Sequence, residues 1–319
     1  LALSTCRRLS GIIKAGNDVL EELIMFKHRL RSGILLGGSA IIAFLWPGWP
    51  GIVLFSALAL AFVSIGNHEY VALVRQMGWS SFAASVIGAG AVLYIAVAIA
   101  GIHSAGNAAV IAWSQALVTA AVVLVFGCRA LFMHPPSMAI TKLLTSLAGF
   151  LYVSWPLSFL GALYFADGTA MAGRLLAIYL VAVTKLADVG AYTLGTIGSR
   201  RPGGNHKLAP KISPKKSWEG LAGGTIASVG AAVLLWLLLR RQMVLNGQEA
   251  LAFTDAIAVG IAASIIGLFG DLIESLFKRG AGAKDSGAIP GLGGVLDVAD
   301  SLIPMAPLFY LLVRYNTGF

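Results

Sequence analysis

Two stretches of this chain carry residue types that could do chemistry together. The first, Gly270-Asp271-Leu272-Ile273-Glu274-Ser275-Leu276-Phe277-Lys278-Arg279, closes a long apolar run. In a helix, Asp271, Glu274, Ser275 and Lys278 fall at i, i+3, i+4 and i+7, on one face. Carboxylates so close to apolar sequence are costly unless they are paired or line a wet cavity, and so mark function. The second stretch is Gly291-Leu292-Gly293-Gly294, followed by Asp297 and Asp300, again i and i+3 if helical. Its glycine turn offers backbone N–H groups that could face a phosphate. Lys278, Arg279, Lys284 and Asp285 lie between the two acidic pairs. Mg²⁺ is held through one or two carboxylates while substrate phosphates complete its shell, and basic side chains bind the same phosphates. The pattern predicts metal-assisted phosphoryl or nucleotidyl transfer. The competing reading is a structural Asp–Lys or Glu–Lys pair that locks two helices.

A third segment is basic. It starts with Lys185 and Asp188 inside an apolar run, then passes through His206, Lys207, Lys211, Ser213, Lys215 and Lys216 to Glu219. Asp188 needs a partner such as Lys185, or a cavity. The lysines could clamp a polyphosphate opposite the carboxylates, or anchor the chain at an anionic lipid surface.

The elements that must position these groups are membrane helices. Of 319 residues, 58% are hydrophobic and only 12% charged, and mean hydropathy is +0.84. Soluble domains run near ~25% charged, so soluble classes and disorder are excluded. The continuous apolar runs argue against a β-barrel. A span needs about 20 apolar residues. Nine candidates stand near 32–46, 49–66, 81–102, 107–127, 143–165, 175–197, 220–239, 256–277 and 295–313. Trp46 and Trp49 around Pro47 suggest an interfacial turn, and Pro304 and Pro307 break the last candidate. The expected fold is all-α, a polytopic membrane helical bundle of about nine spans. A cytoplasmic segment, 1–32, precedes an integral membrane domain, 33–319. The chain begins at Leu1 rather than Met, which leaves room for a preceding segment.

Placing the N-terminus in the cytoplasm puts 18 of the 23 Lys and Arg inside and 4 outside, with Lys185 in a span. That is the bias expected of a correctly oriented chain. Residues 198–220 and 271–300 both fall on the inside, and together hold nine basic and six acidic residues. The net charge of +9 suits anionic lipids and anionic substrates. With no soluble basic domain, nucleic acid is not expected as a partner.

Over about residues 180–305 the chain resembles the phosphatidate cytidylyltransferase (CDP-diacylglycerol synthase) family. Gly270, Asp271, Glu274, Ser275, Lys278, Arg279, Lys284, Asp285, Gly287, Pro290, Gly291, Gly293, Gly294, Asp297 and Asp300 follow the order of its C-terminal signature. Asp188-Val189-Gly190-Ala191-Tyr192 resembles its A-D-x-G-A-Y. His206-Lys207-Leu208-Ala209-Pro210 with Ser213-Pro214 and Lys216 resembles its H-K-L-x-P-x-x-S-P-x-K. Farther upstream the similarity fades to His68-Glu69-Tyr70. The resemblance implies a bacterial inner-membrane enzyme whose site faces the cytoplasm. It would join CTP and phosphatidic acid into CDP-diacylglycerol and pyrophosphate, with Mg²⁺, with or without a second cation, and membrane lipids around it. A homodimer is implied by the family alone. By the same analogy Asp271 and Asp297 bind the metal, with Lys278, Lys284 and Asp285 beside them in the catalytic set. Asp188, His206, Lys207, Ser213, Lys216, Glu274, Ser275, Arg279, Gly293, Gly294 and Asp300 contact substrate.

Three departures stand out. Leu292 replaces the signature His, Val298 replaces its Arg, and the spacer between Gly287 and Pro290 is one residue short. His→Leu removes all hydrogen bonding and Arg→Val removes a phosphate fork. Two alternatives therefore stand beside the leading reading. One is CTP-dependent transfer to another lipid phosphate or lipid alcohol. The other is an anionic-solute transporter using Asp188 and Asp271, although a transporter should show paired repeats in both halves.

Overall fold

The computed structural model describes residues 38–39, 42–200, 204–283, 285–287 and 293–319. The expected segment 1–32, most of the first expected span, Lys284 and Pro290–Leu292 lie outside the described residues. Among these residues eight helices are long and apolar enough to cross a membrane, as the all-α reading requires. They are α1 (Trp49–Gln76), α2 (Ala83–His103), α3 (Ala108–Leu131) and a composite fourth span. The remaining four are α6 (Met171–Ser199), α7 (Trp218–Leu239), α8 (Phe253–Gly280) and a composite last span.

The first span starts where expected, with a proline in its first turn, where the missing N–H costs nothing. It ends ten residues later than the apolar run, because the polar residues Asn67 and Glu69 are buried rather than terminal. Asn67 donates to Ser154 Oγ at 2.7 Å. The fourth span consists of α4 (Pro136–Gly149), a π turn at Phe150–Ser154 and α5 (Trp155–Tyr164). Pro156 has no N–H for the carbonyl four residues back, and the wider turn accommodates the mismatch. Its Val153 packs against Gly66 of α1.

The last span is also interrupted, but not at its prolines. It consists of the five-residue α9 (Val295–Ala299) and α10 (Leu302–Thr317), separated at Asp300–Ser301. Pro304 falls in the first turn of α10, where proline is tolerated. Gly270 of α8 lies against the Asp300 carbonyl and Pro304 so closely that any side chain would collide.

Helices α6, α7 and α8 form a tight wall. Gly190 meets Gly223 and Ala227, Gly224 meets Ser264 and Ala187, and Gly260 meets the Val229 backbone. Small residues at such crossings bring backbones together where no hydrophobic force between helices exists. Two features were not expected. The basic segment forms a hairpin of β1 (Lys207–Ala209) and β2 (Ser213–Ser217), antiparallel, with Lys207 opposite Ser217. Ser217 then caps α7 by accepting from Gly220 N–H at 3.1 Å, as an N-cap serine does. At the opposite end of α7, β3 (Val244–Leu245) and β4 (Gln248–Glu249) close over Asn246-Gly247, both at positive φ, the chemistry of a tight hairpin.

At that same end, Arg174 is buried. Its guanidinium donates to Trp46 O at 2.7 Å and Thr169 O at 3.0 Å. Nearby, in the loop between α5 and α6, Asp167 has a carboxyl oxygen with no hydrogen-bond partner, and burial pushes its pKa up. A carboxyl whose folded pKa is raised contributes nothing at low pH and costs stability as pH rises through that raised value. Asp167→Asn is therefore expected to raise the melting temperature by a few degrees at neutral pH. The difference from wild type should vanish in acid; a gain that persists at pH 3 would refute the assignment.

Candidate active site

One cavity of about 750 Å³ collects most of the sequence-predicted residues. Its wall is built by α6 (Asp188, Ala191, Tyr192), the β hairpin (Lys207, Ser213, Lys216), α8 (Asp271, Ser275, Lys278, Arg279) and the start of the last span (Asp297, Asp300). Asp285 also lines it.

Three carboxylates cluster at this cavity. Asp271, Glu274 and Asp300 each bring a carboxylate oxygen within 4.8 Å of the others. The i, i+3 spacing on α8 supplies two of them. The break in the last span supplies Asp300, whose carboxylate accepts from Ser301 N–H at 2.6 Å. Glu274 is 1% exposed, and its Oε1 has no hydrogen-bond partner. An orphaned buried oxygen among clustered carboxylates fits a hard divalent cation, which takes oxygen ligands.

Cations face this cluster. Lys278, one turn along α8, contacts Glu274 Oε2 at 2.6 Å and Asp297 Oδ1 at 2.5 Å. The structural Glu–Lys pair and the functional reading thus coexist at one lysine. Lys216 reaches down from β2 to pair with Asp271. On α6, Lys185 holds Asp188 at 2.9 Å and takes Ser301 Oγ at 2.9 Å, the partner Asp188 required. Arg279 donates to Ile212 O at 3.3 Å and so ties the hairpin to α8.

Some expected residues sit differently. Asp297 is not in the three-carboxylate group. Its Oδ2 accepts from Gly294 N–H at 2.7 Å, Ser286 Oγ at 2.9 Å and Ser286 N–H at 3.1 Å, and Lys278 occupies Oδ1. The glycine turn does not present these N–H groups to a phosphate. Gly294 N–H goes to Asp297, and the next two N–H groups go to Glu69. His206 does not line the cavity; its ring Nδ1 and backbone N–H both face Glu219, at 2.7 and 3.1 Å. Val298, where the signature has Arg, is half-buried on α9.

Glu69, which the sequence marked only within the faint His68-Glu69-Tyr70 similarity and to which it gave no role, proves central. It is 5% exposed. Its Oε1 accepts from Val295 N–H and its Oε2 from Leu296 N–H, both at 2.9 Å. The signals were the faint His68-Glu69-Tyr70 similarity and an acidic residue beyond an apolar run.

Comparison with known proteins agrees with this architecture. The model of the cytidylyltransferase family matches residues 27–316. A phosphatidate cytidylyltransferase of Chlamydia muridarum is 38% identical over 174 residues, 53% of this chain and 54% of that protein. One from Haemophilus influenzae is 41% identical over 138 residues, 43% of this chain and 45% of that protein. The uncharacterised protein YnbB of Escherichia coli K12 is 39% identical over 144 residues, 45% of this chain and 44% of that protein. The chain spans about half the length of the curated relatives it matches. The family match, by contrast, runs through nearly all of the described helices, well beyond the 180–305 region where the sequence motifs lie. By that match the chain belongs to the cytidylyltransferase family.

Proposed function

We propose that this chain is a CTP:phosphatidate cytidylyltransferase of the bacterial plasma membrane, with its site on the cytoplasmic side. The observation that carries the reading is the single cavity holding Asp271 and Asp300 together with Lys207, Lys216, Lys278 and Arg279. A nucleoside triphosphate needs cations; a divalent ion needs carboxylates; a lipid phosphate needs access from between membrane helices. The concentration of Lys and Arg in the segments beside this cavity supports the orientation.

In this reaction a phosphate oxygen of phosphatidic acid attacks the α-phosphorus of CTP. A new O–P bond forms, the bond to the β-phosphate bridging oxygen breaks, and pyrophosphate leaves. Positioning and charge do most of the work in such transfers. Lys207, Lys216 and Arg279, on or beside the hairpin, are placed to hold the triphosphate. Lys278 lines the cavity beside the carboxylates, where it would neutralise charge on the transferring phosphoryl group. Asp271, Glu274 and Asp300 would hold Mg²⁺, with Asp188 and Lys185 as a neighbouring polar wall. Bound there, the ion would neutralise the departing pyrophosphate. Asp297 has its four contacts already filled, and in this reading it orients Lys278 rather than acting as a primary ligand.

The test uses purified protein with labelled CTP, Mg²⁺ and phosphatidic acid. Lipid-linked CMP and equimolar pyrophosphate are expected, and both should disappear when EDTA is added. Parallel reactions with other lipid phosphates and lipid alcohols identify the acceptor. Folded protein that yields no lipid-linked CMP with any of them would overturn the proposal.

A further inference from the structure

The helix that carries Asp297 is only five residues long. An isolated helix that short does not hold itself, and its first N–H groups have no partner within it. Here every one of them from Gly294 to Leu296 is satisfied by a carboxylate. Asp297 takes Gly294 N–H, and Glu69, from α1, takes Val295 and Leu296 N–H with one oxygen each. The turn before the helix closes on the same group. Ser286 Oγ lies 3.3 Å from Glu69 Oε2. A Cβ added at Gly294 would fall 2.5 Å from that oxygen, and one added at Gly287 would fall 2.7 Å from the Glu69 Cδ. Glycine at both positions lets the backbone wrap the carboxylate.

Two of the residues packed on Glu69, Ser286 and Gly294, also hold Asp297. Ser286 and Gly294 supply the three donors on Asp297 Oδ2, and the other Asp297 oxygen holds Lys278 at 2.5 Å. Lys278 lines the cavity. Glu69 does not line it. We propose that Glu69 is a positioning residue for the reaction: it clamps the start of α9 and its glycine turn, and through them fixes Asp297 and Lys278. The proposal rests on the cytidylyltransferase reading above for its kinetic part only. The N-terminal helices, which contribute no side chain to the cavity lining, would then reach the chemistry through one buried carboxylate.

The experiment compares the full-length wild-type chain in detergent with Glu69→Gln and Glu69→Ala. Gln keeps the size but has one acceptor oxygen where Glu has two; Ala has none. Amide hydrogen exchange of the 293–298 segment is expected to quicken at least tenfold in Glu69→Gln and further in Glu69→Ala, with exchange in α6–α8 unchanged. Turnover number is expected to fall at least tenfold in Glu69→Gln while KM for CTP stays within about threefold, because the cations of the hairpin are untouched. Unchanged exchange at 293–298 would overturn the clamp. So would faster exchange throughout the chain, or a KM that rises with turnover number unaffected. A wild-type chain that makes no lipid-linked CMP would strike the reaction, and the exchange measurement, made without substrate, would still decide the clamp.

Discussion

Lys278→Met is expected to unfold the site as well as silence it. Among the described residues, Lys278 is the one cation in contact with both Glu274, 1% exposed, and Asp297. Removing one partner of a buried ion pair leaves an uncompensated charge and typically costs about 3–5 kcal/mol. The melting temperature in detergent should drop sharply, and turnover should fall by roughly a thousandfold, on the scale of losing a transition-state charge partner. The second half of the prediction separates the two effects. In the double variant Lys278→Met, Glu274→Gln, one of the stranded charges is gone, so much of the stability should return while turnover stays lost. Wild-type stability in the single variant would mean that the Glu274–Lys278–Asp297 contacts carry no net energy.

The paired variants Asp271→Asn and Asp297→Asn should both lose turnover by roughly a thousandfold, yet differ in stability. Asp271 sits among like charges with Glu274 and Asp300, and its cationic contact is the half-exposed Lys216. Neutralising it relieves repulsion, so thermal stability should hold or rise slightly. Asp297 instead accepts from three donors and pairs with Lys278. Its amide would lose the charge that Lys278 needs and would place an NH₂ among donors. A cost of about 2–4 kcal/mol is expected. Full activity in Asp271→Asn would refute its role as metal ligand. Unchanged stability in Asp297→Asn would refute its role as the organiser of the turn.

Much of this site could be read from spacing. Asp271, Glu274, Ser275 and Lys278 share a face because α-helical period dictates it, and of the nine expected spans six appear as continuous helices, α1 among them running ten residues past its apolar run, and two as interrupted ones. What spacing could not show was which oxygen meets which donor. Asp271 and Asp297 look equivalent in the sequence, each the first acid after a glycine. They differ because α9 starts at Val295, which puts Asp297 in its first turn and makes it an acceptor for the backbone. The hairpin was illegible because Pro210, Pro214 and six lysines and serines from Lys207 to Ser217 read as a solvated loop. The role of Glu69, visible only as a faint His68-Glu69-Tyr70 similarity, was illegible for a different reason. Its principal partners are backbone N–H groups, which leave no side-chain pattern, and they lie 226 and 227 residues away.

That separation has a consequence for how the protein is made. At ribosomal speeds of about 5–20 residues per second, Glu69 is synthesised on the order of 10 to 45 s before Val295. Throughout that interval the end of α1 carries a carboxylate whose eventual partners do not exist. The last membrane insertion event is then also the one that gives Glu69 its partners, so a chain cut short within the last span would carry all its cavity lysines and no clamp.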